Sequence, residues 1–246
     1  MGRVQERLTR SDGSEPVTGH KRSTDDVFDP ARSALVLVDL QNDFCAPGGR
    51  AALRGRDLSG VEIIVPRIRR IIEAARETGC LVFYIQNTTF ADGRLSNDSD
   101  RARRVAEWGN SDPFITKAGT WGHDIIDDLR PQFGDFIVQK YRHSAFLGTN
   151  FEMILGAQSR RSLFVAGVAT HACVEATVRD ALVRDYDVFL LEDCVAALEK
   201  PLHDAGLLVM SALLPEGRVI GSQVVAQAFR DRCHHPQTSA RSSGAI

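Results

Sequence analysis

Short apolar runs alternate with longer amphipathic stretches along most of the chain. ALVLVD (34–39), CLVFYIQN (80–87), DFIVQK (135–140), SLFVAGV (162–168), DVFLLED (187–193) and RVIGS (218–222) are all of strand length. Runs this continuous in Val, Leu, Ile and Phe predict strands covered on both faces, as in a parallel sheet. Between them, VEIIVPRIRRIIEAARETG (61–79) repeats its apolar positions with a helical period and stops at Gly79. WGHDIIDDL (121–129) predicts a short helix, and TNFEMILGA (149–157) a helix capped by Thr149 or Asn150. ATHACVEATVRDALVRD (169–185) predicts a helix starting directly after the fourth strand. PLHDAGLLVMSALL (201–214), with Pro201 in the tolerated first turn, and SQVVAQAF (222–229) complete the set.

Six alternations of strand and helix predict a three-layer α/β/α, Rossmann-like domain. Its six-stranded, mostly parallel sheet would be joined by right-handed crossovers. Such sheets bind ligands beyond the C-terminal ends of their strands, which marks the polar residues placed for chemistry. Residues 1–30 have no hydrophobic period and read as a flexible arm, residues 231–246 as a second tail, and residues 31–230 as one domain. His234 and His235 read as solvated tail residues rather than metal ligands.

Composition narrows the function classes. A 43% hydrophobic content over 246 residues is enough for a sizeable core, and a formal net charge of -2 gives no footprint for a nucleic-acid partner. The arginine runs Arg67, Arg69, Arg70 on a helix and Arg101, Arg103, Arg104 in a polar loop read as solvated faces. Five cysteines at 45, 80, 173, 194 and 233 form no CxxC pair, which argues against a disulfide framework or structural zinc and for a reducing, cytoplasmic compartment. Cys45, Cys80 and Cys194 read as packing residues. The polar N-terminus lacks a signal-peptide apolar segment, and no run approaches the roughly 18 apolar residues of a membrane span.

Three reactive residues fall at strand C-termini: Asp39 after the first, Lys140 after the third, and Cys173 five residues past the fourth. Each alone is more often a cap, a solvated lysine or a small core thiol; on one rim they form a coherent unit. A helix start and a nearby lysine favour thiolate over thiol. Asp39 could accept the thiol proton and return it to a leaving nitrogen. Unpaired N–H groups at the helix start could hold an oxyanion, and Gly167 with small residues at 169 and 172 lets backbone approach substrate.

At these residues the chain resembles the isochorismatase-like cysteine hydrolases. The matching segments are LVLVDLQNDFCAPGG (35–49), QKYRHSAF (139–146) and GVATHACVEATVRDALVRDYDVFLLEDC (167–194), in order along most of 31–229. The resemblance implies an isochorismatase-like hydrolase fold, an Asp39–Lys140–Cys173 triad, and a cis Val168–Ala169 bond that aims the N–H of Ala169, with that of Cys173, at the oxyanion. It implies cleavage of a C–N bond other than a peptide bond, through a thioester and without a cofactor. Retention of Cys173 favours amide or ureide cleavage over vinyl-ether cleavage. The stretch QNTTFADGRLSNDSD (86–100) lacks the histidines of the metal-binding nicotinamidase branch, so no metal site is expected. Gln86, Asn87, KAGTWGHDIIDDLRPQFGDFIVQK (117–140) and the ATxxCVExTxRD pattern are closest to the ureidoacrylate and N-carbamoyl amidohydrolase branch. The resemblance assigns Asn87 to substrate binding. His143 stands where that branch often carries tyrosine and His171 where asparagine is common, so both are candidates for the polar end of the pocket, with Thr170 beside them. Phe44, Trp108 and Trp121 are candidates for its walls. The family implies a homo-dimer or homo-tetramer and a small amide or ureide as partner. Biuret, a simple carboxamide, or a non-catalytic binding role of the same fold are the alternatives.

Overall fold

In a computed structural model, which describes residues 27–234, six strands form one sheet in the order β3-β2-β1-β4-β5-β6, with every neighbouring pair parallel. The strands are β1 (Ser33–Val38), β2 (Leu81–Asn87), β3 (Phe136–Lys140), β4 (Ser162–Val168), β5 (Asp187–Ala196) and β6 (Val219–Ile220). The continuous apolar runs are explained by the layers. Leu35 and Leu37 of β1 face one helical layer, while Ala34, Val36 and Val38 face the other. All five are fully buried, and each large aliphatic side chain so covered contributes about 1.5–3 kcal/mol. The arm and tail expected over 1–30 and 231–246 fall largely outside the described residues, as does His235.

Eight α-helices are described: α1 (Asn42–Cys45), α2 (Arg50–Leu53), α3 (Ser59–Thr78), α4 (Asp98–Trp108), α5 (Phe151–Ala157), α6 (Glu175–Leu182), α7 (Lys200–Leu213) and α8 (Ser222–His234). Ile64, Ile68 and Ile71 of α3 pack with Val225 and Phe229 of α8 on the first face. Phe151 and Leu155 of α5, Val178 and Ala181 of α6, and Met210 of α7 cover the second. None of the helices among the described residues is long and apolar enough to cross a membrane.

Several elements differ from the pattern-based expectation. The polar loop expected around Arg101–Arg104 is helix α4. It carries no apolar stripe, and its buried positions are Asp100, Arg104 and Trp108, spaced i, i+4, i+8. Asn97 caps it by accepting from the Asp100 N–H at 2.9 Å. The expected helix over 121–129 is two 3-10 turns, Trp121–His123 and Asp127–Leu129, too short to propagate. The helix expected from residue 169 begins with a wide π-type turn over Thr170–Val174 before α6. At α5 the cap is shared: Asn150 holds the cap position, but the Thr149 hydroxyl accepts the Phe151 N–H at 3.2 Å.

Strand order reverses between β1 and β4, where their connections leave toward opposite edges. This is the switch point at which open α/β sheets form a crevice. Val38 pairs with Gly167, and Asn87 with Lys140, so the C-terminal ends of β1 to β4 share one rim. Gly167 sits at φ +119°, and a Cβ there would lie 2.1 Å from the Val38 carbonyl oxygen. The two central strands approach as they do because residue 167 has no side chain.

Candidate active site

Asp39 leaves β1 in the left-handed region (φ 54°), held by its N–H to the Ile85 carbonyl at 2.9 Å. This turns its carboxylate under the rim. Oδ1 accepts the Asn87 N–H at 3.0 Å, and Oδ2 lies 2.8 Å from the Lys140 Nζ. Both side chains are buried, Lys140 completely. Lys140 Nζ also donates to the Arg142 carbonyl and to Cys173 Sγ, each at 3.2 Å. Lys140 Nζ thus touches both Asp39 and Cys173, and the three groups converge on it.

Burial raises the Asp39 carboxyl, and the pull of Lys140 only partly offsets it. Burial by itself would depress Lys140, but Asp39 and then Cys173 outweigh it and the net shift is upward. For Cys173, burial and then the Asp39 charge push the thiol up to about 12, with Lys140 opposing. Sequence reasoning expected helix start and lysine to favour the anion. Desolvation and the neighbouring carboxylate act the other way and favour the protonated thiol.

A second layer fixes the rim. Gln41 accepts the Asn87 N–H at 2.8 Å, and its amide donates to the carbonyls of Asn87 (2.9 Å) and His123 (2.8 Å). The Asn87 side chain donates to Thr116 Oγ1 at 2.7 Å, and the Thr116 N–H reaches Asp43 Oδ2 at 2.6 Å. Thr177 Oγ1 donates to the Cys173 carbonyl at 2.7 Å and accepts the Ala145 N–H at 3.1 Å, tying the loop after β3 to the cysteine turn.

Above the three groups lies a cavity of about 280 Å³. Asp39, Asn87, His143, Ala169, His171 and Cys173 line it, with Phe44 and Trp108 as an apolar wall in edge contact at 6.0 Å. The Val168–Ala169 peptide bond is cis. His143 Nδ1 stands 3.4 Å from Cys173 Sγ. His143 is exposed at the cavity mouth, yet partial desolvation by the surrounding chain, then the charges of Arg103, Lys140 and Arg104, shift its imidazole down, to about 4.

Two expected pocket residues lie elsewhere. Trp121 is 54% exposed and lines a separate surface groove with Cys45 and Pro47. Its 3-10 turn is held outward by the Asn42 side chain, which donates to the Trp121 carbonyl at 2.7 Å. Thr170 is fully buried, with its hydroxyl 2.8 Å from His203 Nδ1 of α7. It anchors the turn to α7, which packs closely there: a Cβ on Gly206 would come within 3.0 Å of the His171 backbone. Sequence reasoning missed Gln41, Thr116 and the arginines of the cavity mouth, Arg56, Arg103, Arg104 and Arg142. The i, i+4, i+8 spacing after a capping Asn97 was the available signal for Arg104.

Comparison with known proteins agrees with this geometry. The sequence signature of the isochorismatase domain matches residues 33–223. The ureidoacrylate amidohydrolase RutB of Agrobacterium fabrum is 35% identical over 175 residues, covering 67% of this chain and 75% of the relative. A cysteine hydrolase from Pseudomonas syringae pv. phaseolicola 1448A superposes with a TM-score of 0.70 at 27% identity, over 82% of this chain and 94% of the other. The N-carbamoylsarcosine amidase of Thermoplasma acidophilum superposes with a TM-score of 0.57 at 30% identity, over 73% of this chain and 93% of the other.

Proposed function

This chain belongs to the isochorismatase-domain family of hydrolases and acts on C–N bonds other than peptide bonds; from that premise we propose that it is a cysteine amidohydrolase of a small ureide, working through a thioester on Cys173. The observation that carries the reading is the contact of Cys173 Sγ with the buried Asp39–Lys140 pair at the floor of one small cavity. Relatives named for a ureido and an N-carbamoyl substrate support the ureide over a plain carboxamide.

Burial and the Asp39 charge favour the protonated thiol, so attack needs a base to take its proton. The proton leaves as the C–S bond forms. Asp39 Oδ2, which makes no well-directed hydrogen bond among the described residues, takes it while Lys140 balances the charge. Sulfur bonds to the substrate carbonyl carbon, and the carbonyl electrons move onto oxygen. The N–H groups of Ala169 and Cys173 receive that oxyanion. As the carbonyl re-forms, the C–N bond breaks and Asp39 gives its proton to the departing nitrogen. Water then loses a proton to Asp39 and attacks the thioester. The sulfur leaves and regains a proton from Asp39. Asn87 and His143 hold the substrate in this scheme, with Phe44 at the apolar end. The five free cysteines support a reducing compartment, and Leu208 and Val209, exposed on α7, support a homo-oligomer.

The test is a panel of 3-ureidoacrylate, N-carbamoyl amino acids, biuret and simple carboxamides, with the organic product identified because carbamate also releases ammonia. The reading expects a ureide to be hydrolysed, and Cys173→Ala to abolish turnover with the fold intact. Full activity in Cys173→Ala, or no turnover of any ureide, overturns it.

A further inference from the structure

One wall of the cavity is cationic in a way the thioester chemistry does not use. Arg103 and Arg104 of α4 and Arg142 after β3 all line it. Arg103 is committed to Asp100 at 2.8 Å and Glu107 at 3.2 Å. Arg104 is different: it is 5% exposed, and its Nε donates to Asp100 Oδ2 at 2.7 Å. Its two terminal nitrogens make no hydrogen bond among the described residues. Arg142 donates to two backbone carbonyls, those of Tyr141 and Leu95, and meets no carboxylate among the described residues. Three guanidinium groups therefore share two carboxylates, Asp100 and Glu107; Arg103 and Glu107 are exposed at the mouth, and Arg104 is the buried member. The terminal nitrogens of an arginine whose edge opens onto a ligand cavity are available to an anion, and the planar donor pair fits a carboxylate.

We propose that Arg104 is the anchor for a carboxylate on the substrate, with Arg142 adding charge at the mouth, so that the enzyme selects ureides bearing a free acid. This rests on the ureide reading above and narrows it: biuret and uncharged carboxamides lack the group that Arg104 holds. Asp100 is the positioning residue. It fixes the guanidinium through Nε and leaves the opposite edge for the ligand. The neutral imidazole of His143 agrees with this arrangement, since a protonated histidine beside Arg103 and Arg104 would add repulsion.

The test needs no known substrate. Iodoacetate and iodoacetamide both alkylate Cys173, sulfur displacing iodide, and differ in carrying a carboxylate or a neutral amide. In Arg104→Gln the iodoacetate rate, taken relative to iodoacetamide, is expected to fall about tenfold. The neutral reagent reports whether the pocket is still formed. In the unaltered protein, propionate is expected to slow iodoacetamide alkylation of Cys173 while propionamide at equal concentration does not, a readout independent of whether the variant folds. On turnover, Arg104→Gln is expected to lose about 100-fold in kcat/KM on 3-ureidoacrylate and little on its methyl ester. An unchanged reagent ratio in a folded variant, or equal effects of propionate and propionamide, overturns the anchor. Failure to hydrolyse any ureide, with the reagent ratio still dependent on Arg104, overturns the ureide reading and leaves the anion site standing.

Discussion

Replacing Asp39 with asparagine tests whether the buried pair is charged, and its cost can be worked from the contacts. Asp39 uses both oxygens: Oδ1 for the Asn87 N–H at 3.0 Å and Oδ2 for Lys140 at 2.8 Å. An amide has one oxygen, so either orientation turns an NH2 group onto a donor. Lys140, with no exposed surface, is left with the Arg142 carbonyl and Cys173 Sγ. Removing one partner of a buried pair costs about 3–5 kcal/mol, a large share of a stability of about 5–15 kcal/mol. The experiment is best run in Cys173→Ala, so that thiolate formation cannot compensate Lys140. Urea unfolding of that parent, of each added single change (Asp39→Asn, Lys140→Met) and of both together gives a double-mutant cycle. Each single change is expected to cost about 3–5 kcal/mol, and the combination to return to within about 1–2 kcal/mol of the parent, because two neutral side chains leave no stranded charge. Single costs below about 1 kcal/mol, or costs that simply add, would refute a buried ion pair and with it the proton-accepting role of Asp39.

Two further outcomes follow from the same structure. His143 is held at about 4, below its ordinary value of 6.5, by burial and then by Arg103, Lys140 and Arg104. The unfolded chain takes up that proton first, so stability falls as pH drops from about 6.5 toward 4; because the side chain is itself exposed, the loss is expected to be small. An NMR titration of its ring should show a midpoint near 4, and a midpoint at or above 6 would show a solvated imidazole instead. Gly167→Ala combines a strained φ with a Cβ set 2.1 Å from the Val38 oxygen, and should cost about 3–5 kcal/mol in thermal or urea unfolding. A well-folded variant within about 1 kcal/mol of the parent would mean β1 and β4 can separate freely.

The sequence by itself determined the six strands, their parallel arrangement and the three residues at the rim. Continuous apolar runs have one economical burial, between two helical layers, and strand ends then follow from where the polar residues resume. What the tertiary structure alone decided concerns groups whose behaviour depends on neighbours distant in the chain. Helix α4 carries no apolar stripe, so its period is invisible until Asp100, Arg104 and Trp108 are seen packed against the cavity wall. Trp121 follows Thr116 by five residues and Thr170 lies between Ala169 and His171, yet packing turns one to solvent and the other toward His203. The upward shift of the Cys173 thiol likewise could not be read from its place after a strand. It depends on how much water is excluded and on the Asp39 charge that folding brings beside the sulfur. Local pattern fixes which face of an element is covered; the charge state of a buried group is set by everything that covers it.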